Sequence, residues 1–136
     1  MLTIREFEEK YFGRELDYNK IQDAYRKYFK ENIGVGDGVT LCYWSDCEAY
    51  TVIKKTKCTL TIQRDKATLK PTFKPEFVAG GFCGTVINQD EQDYDYERDP
   101  NGQVFVAHWS ERKNGYFVDG CLRVIAGRHE FYDYNF

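Results

Sequence analysis

The sequence predicts an α+β fold, with an N-terminal helical hairpin packed on a bent antiparallel β-sheet or small β-barrel. Three observations lead there. Apolar residues recur at the helical period as far as residue 33. The period drops to two after Val35-Gly36-Asp37-Gly38. The strand-like runs that follow are short and are punctuated by Asn-Gly and other turn pairs, the pattern of sheets that curl or close. The 136 residues are expected to form one domain, helical over 1–33 and β-rich over 34–136, able to bury roughly two-thirds of the unfolded surface.

Thr3 followed by Glu6 fits a capping box, opening a short helix with Ile4, Phe7 and Tyr11 on one face and Gly13 as its stop. A second helix is predicted over 18–32, with Asp17 as N-cap and Gly34 as the glycine beyond its end. Ile21, Ala24, Tyr25, Tyr28 and Phe29 form its apolar stripe, which should pack on the sheet. Strands are expected at 39–44, 49–55 and 59–64 as a meander, then a long loop over 66–84 containing Pro71 and Pro75. Residues 94–97 and 104–109 flank Asp99-Pro100-Asn101-Gly102 and read as a hairpin; Asn114-Gly115 marks a second one. Residues 116–118 and 122–125 complete the strands.

The final ten residues, Gly127 to Phe136, are too aromatic for a frayed end, so they should dock into the fold or into a partner. Alternation favours the first, with Phe131, Tyr134 and Phe136 tucked against the helical stripe and Arg128, Tyr132 or Tyr134 facing outward.

Net charge is −3, which argues against general nucleic-acid coating. The charge is segregated. Lys54, Lys55, Lys57, Arg64, Lys66, Lys70 and Lys74 crowd one stretch; Asp90, Glu91, Asp93, Asp95, Glu97 and Asp99 crowd another. The five cysteines, Cys42, Cys47, Cys58, Cys83 and Cys121, include no Cys-x-x-Cys pair and follow no signal-peptide pattern, so reduced thiols in the cytoplasm are expected. No apolar run reaches membrane-spanning length. No cofactor is implied, and His108 and His129 lie in no spacing that builds a nucleophile pair or zinc site.

Gly36-Asp37-Gly38-x-Thr40, then Ser45-Asp46 and Tyr50-Thr51-Val52, resembles a group of small proteins from phages and mobile elements of Gram-positive bacteria. Trp109-Ser110-x-Arg112-Lys113-Asn114-Gly115 and Gly127-Arg128-x-x-x-Tyr132-Asp133 extend the resemblance, which covers about residues 34–136. It implies a non-enzymatic role in the bacterial cytoplasm, acting by binding, including against host defence.

Two kinds of site follow. Arg128, Lys55, Lys57 and Arg64 could hold the phosphates of a nucleotide-derived signal while Tyr50, Tyr132 or Tyr134 stack on its base. The plainer reading is ordinary surface lysines and a docked end. Alternatively, Asp93, Asp95 and Glu97 share one strand face and could present an acidic ridge to a host defence protein such as a CRISPR nuclease. A solvated edge strand, or an accessory phage protein without a defence role, explains the same residues.

Overall fold

The structure is a computed structural model describing residues 1–13, 17–78 and 85–133. Tyr134, Phe136 and Cys83, singled out above, lie outside the described residues.

Helix α1 (Ile4–Tyr11) opens on the expected capping box, Thr3 Oγ1 accepting from Glu6 N and Glu6 Oε1 accepting from Thr3 N. Helix α2 (Tyr18–Asn32) is capped by Asp17. Six strands close a barrel: β1 (Gly38–Cys42), β2 (Cys47–Lys55), β3 (Thr59–Arg64), β8 (Val104–Ser110), β9 (Gly115–Val118) and β10 (Leu122–Ala126). Every neighbouring pair is antiparallel, and β10 returns to pair with β1. The order is therefore an up-and-down meander interrupted once, between β3 and β8. Closure removes the sheet edges that an open six-stranded sheet would expose.

The interruption corrects two expectations. Residues 66–84 are not all loop: β4 (Lys66–Leu69) pairs with β7 (Tyr94–Glu97), and β5 (Phe77–Val78) pairs with β6 (Thr85–Val86). A short 3-10 turn spans Gln89–Glu91. Asp99 to Gly102 is a turn, with Gly102 N bonded to Asp99 O, but it does not join a hairpin. It carries the chain from the β4–β7 ribbon back into the barrel, where Arg64 N donates to Gln103 O. The Asn-Gly signal reported the local backbone and could not report which strands it connects. Asn114 (φ 51°) does close the β8–β9 hairpin as expected.

Inward residues alternate along each strand: Val39 and Leu41, Tyr50 and Val52, Leu60 and Ile62, Phe105 and Ala107, Tyr116 and Val118, Val124. A bulge at Ile53 shifts the β2 register. The α2 stripe divides its work. Phe29 and Ile33 enter one mouth of the barrel, Phe29 meeting Tyr116 edge-to-face at 5.9 Å. Tyr25 and Tyr28 instead hold α1 through Phe7, and their hydroxyls bond Leu2 O and Leu2 N. The helices thus cover an end of the barrel rather than a sheet face.

Because inward and outward positions differ so sharply, two substitutions should separate. Leu60→Ala, at a fully buried site, should cost about 2–5 kcal/mol in urea unfolding. Val106→Ala, outward on β8, should stay within about 0.5 kcal/mol.

Candidate functional site

The outer face of β1 and β2 is lined by small residues in register: Gly38 opposite Thr51, Thr40 opposite Ala49, Cys42 opposite Cys47. Segment 127–133 crosses this trough after leaving β10. Gly127 N donates to Gly38 O and Gly127 O accepts from Thr40 Oγ1. Arg128 lies over Gly38, where a Cβ would run into its side chain. Phe131 then exchanges both backbone hydrogen bonds with Cys47, at 3.0 Å each. Docking of this segment, expected from its aromatic content, is therefore real, but its platform is β2. The helical stripe that was expected to receive Phe131 is occupied by Phe7 and by the barrel mouth.

Two charged clusters pin the crossing. Arg128 Nε donates to Asp65 Oδ2 at 2.9 Å and its NH2 donates to Thr51 Oγ1 at 2.9 Å. Thr51 Oγ1 in turn donates to Asp65 Oδ1 at 2.6 Å, and Arg98 stands 3.8 Å away. The Asp65 side chain is only 1% exposed, so its charge depends on these partners. Farther along, Arg64 holds Glu130 with two hydrogen bonds, at 2.9 and 2.7 Å, while Glu130 Oε1 also accepts from Ala49 N. Burial opposes the Arg64 charge, but Glu130 and Glu48 restore it and leave the guanidinium pKa above its ordinary value.

Of the residues proposed for nucleotide binding, Arg64 and Tyr50 do meet, the guanidinium 5.9 Å from the ring centre, but the set does not converge on one open site. Tyr50 is 1% exposed in the barrel core, so its ring stacks on no ligand; this corrects the expectation of a base-stacking face. Its phenol is pushed well up by burial. Lys55 donates to Lys30 O and Ile33 O, neutralising the carbonyl end of α2. Lys55 and Arg64 share a strand face, but pairing opposite Leu60 and Tyr50 sets them roughly 13 Å apart along the ladder. Lys57 is exposed in the β2–β3 turn. Arg128 is engaged with Asp65, and Tyr132 is 55% exposed.

Asp93, Asp95 and Glu97 are all exposed and Tyr94 and Tyr96 half-buried, as alternation predicts. The basic and acidic stretches meet here, Lys66 opposite Glu97 and Lys70 Nζ 3.1 Å from Asp93 and 3.8 Å from Asp95. Those carboxylates raise the Lys70 pKa, the hydrogen bond to Asp93 most of all. Inward, burial raises the Tyr96 phenol pKa, with the Glu130 backbone acting in the opposite direction. A shallow cleft of about 350 Å³ lies between this ribbon and the barrel, lined by Asp65, Tyr96, Glu97, Arg98 and Arg128 among others.

Sequence reasoning missed the residue that joins these parts. The Gln92 carboxamide donates to Tyr132 O at 2.6 Å and accepts from Tyr132 N at 3.0 Å. It missed Trp44 too, 91% exposed on the β1–β2 turn. That turn is tied to the same segment, since Asp46 Oδ1 accepts from Asp133 N at 2.8 Å. A large exposed Trp at a turn was a legible signal; a bidentate glutamine was not.

No group of three or more His, Cys, Asp and Glu able to hold a metal ion occurs among the described residues, and no described helix is long and apolar enough to cross a membrane. The architecture defines a small closed antiparallel barrel with an inserted ribbon. No protein-family model, curated protein or solved structure matches the chain.

Arg128→Ala should unfold the protein more readily, by about 3 kcal/mol, because it leaves Asp65 buried without its main cation. Adding Asp65→Asn should recover much of the loss in the same melt. No recovery would mean that Arg128 acts through something other than this charge.

Proposed function

We propose that the protein is a non-enzymatic binding protein of phage or mobile-element origin that engages a host defence protein through an acidic and aromatic face. That face runs from Trp44 through Asp46, Asp133 and Tyr132 to Gln92, Asp93, Asp95 and Glu97. The observation that carries the reading is the Gln92–Tyr132 clasp, which makes the aromatic segment and the acidic strand one surface. Exposed tryptophan and tyrosine beside carboxylates offer apolar anchors with a charged surround. The matching partner is a protein with a basic groove, of the kind that nucleic-acid enzymes use for phosphates. Lys66 and Lys70 offset part of the ridge, but Asp90, Glu91 and Asp99 add to it.

Sequestration of a nucleotide-derived signal has less support. Of its residues, Tyr50 is core, Lys55 caps a helix, and Arg64 and Arg128 serve buried or half-buried carboxylates.

A purified guide-loaded CRISPR nuclease is a suitable first partner. The wild-type protein should bind it, duplex DNA and raised salt should compete, and Asp93→Ala/Asp95→Ala/Glu97→Ala should weaken binding at least about tenfold, roughly 1.4 kcal/mol, with an unchanged melting temperature. Equal binding by the triple variant would remove the acidic ridge from the reading. A rise in melting temperature with cyclic or ADP-ribose-type nucleotides would restore the nucleotide alternative.

A further inference from the structure

Cys42 and Cys47 are directly opposite one another at the last paired position before the Trp44 turn. The pairing type follows from the backbone. Cys47 spends both its N–H and its C=O on Phe131, on the side away from β1, while Tyr43 N bonds to Asp46 O on the turn side. Cys42 and Cys47 are therefore a non-hydrogen-bonded pair, the type in which Cα atoms approach to about 4.5 Å and side chains are closest. That spacing lies inside the range a disulfide spans. Both thiols are free and half-buried. Neither takes part in the interactions that hold the 127–133 crossing, apart from the Cys47 backbone.

We propose that Cys42 and Cys47 form a redox-active dithiol, oxidised to a cross-strand disulfide by a small-molecule disulfide such as oxidised glutathione. The Cys47 thiolate attacks one sulfur of the oxidant and expels one glutathione thiolate, giving a mixed disulfide. Cys42 gives up its proton and attacks the Cys47 sulfur; the new S–S bond forms as the second glutathione thiolate leaves. The two thiol protons end on the expelled thiolates, so one glutathione disulfide is reduced to two thiols for each protein disulfide made. The order of attack follows from the local chemistry. The interaction between the two facing thiols lowers the Cys47 pKa to about 7 and raises that of Cys42. Cys58 and Cys121, exposed in the β2–β3 and β9–β10 turns, lack any such partner in register. The loop closed by the bond is short, so it adds little loop-closure entropy; it acts as a reversible clamp under the Trp44 turn rather than as a staple of the fold.

No Lys or Arg lies between the two cysteines, so trypsin releases both in the single peptide 31–54. The full wild-type chain is equilibrated with oxidised glutathione under native conditions, quenched with N-ethylmaleimide and digested. The expected product is that peptide lighter by two hydrogens and unalkylated, with dithiothreitol restoring double alkylation. Its formation should speed up as pH rises through about 7, and Cys47→Ser should abolish it. A peptide that stays doubly alkylated, or that accumulates stable glutathione on Cys47, overturns the proposal. So does closure that occurs only in denaturant. The pH profile in the wild-type chain keeps the test decisive if the Ser variant folds poorly.

Discussion

The structure depends on one crossing. A closed barrel needs β10 to pair with β1, after which the chain is on the wrong side of β1 and β2 to contact the inserted ribbon. Segment 127–133 solves this by passing over the outside of those two strands, and that passage dictates their sequence. Side chains beneath it must be small, hence Gly38, Thr40, Ala49 and Thr51 on outward positions where a barrel would ordinarily carry large polar residues. Arg128 and Asp65 then fasten the start of the passage to the exit of β3. A buried carboxylate is unfavourable alone, since desolvation of a charge outweighs what packing returns. Here it is met by a guanidinium, a hydroxyl and a second arginine nearby, so the charges make the passage specific rather than merely adherent.

The same passage explains why the ribbon is placed where it is. Below Ala49, β3 leaves the barrel and Phe131 takes up the Cys47 backbone in its stead. The outgoing strand β4 and its partner β7 are left to pack their inward residues, Ala67, Leu69, Tyr94 and Tyr96, toward the barrel and the crossing segment. A two-stranded ribbon is marginal alone. Its attachment runs through side chains: Gln92 to Tyr132 and Arg98 to Gln63. Each contact links residues far apart in sequence, so the ribbon and the crossing segment stabilise one another.

This also decides what was legible beforehand. Local rules read well: the Thr3 and Asp17 caps, the bounds of α2 and β3, the Asn114 turn and the alternation of Asp93 to Glu97 all rest on neighbouring residues. Connectivity did not. Asp99-Pro100-Asn101-Gly102 looks the same whether it joins paired strands or two different sheets, and a four-residue strand such as β4 shows too few periods to be told from loop. The partners of the charged side chains were hidden for a related reason. Arg64, Arg128 and Lys55 have partners that lie 66, 63 and 22 residues away. Composition reveals that a cation is present and cannot reveal that a buried carboxylate or a helix end already uses it. The Gly38-x-Thr40-x-Cys42 and Cys47-x-Ala49-x-Thr51 alternation did carry a hint, because outward positions this small imply that something lies across them.

A charged edge strand has an ordinary purpose, keeping exposed ribbons from pairing with other chains, and Asp93, Asp95 and Glu97 satisfy it. What that purpose leaves unexplained is Trp44. A tryptophan 91% exposed at a turn guards no edge and fills no core, and its exposure is unfavourable in water. It stands on the turn that Asp46 ties to Asp133, one residue from the Tyr132 that Gln92 ties to the acidic strand. A solvated edge alone does not account for the hydrogen bonds that link the Trp44 turn to the acidic strand through Tyr132 and Asp133. The proposed binding role has a place for both: the acids would meet a basic surface, and the aromatic ring would supply the apolar area that makes contact persist. The barrel has no free edge, so the proposed partner would meet only side chains and appended segments, and both converge here.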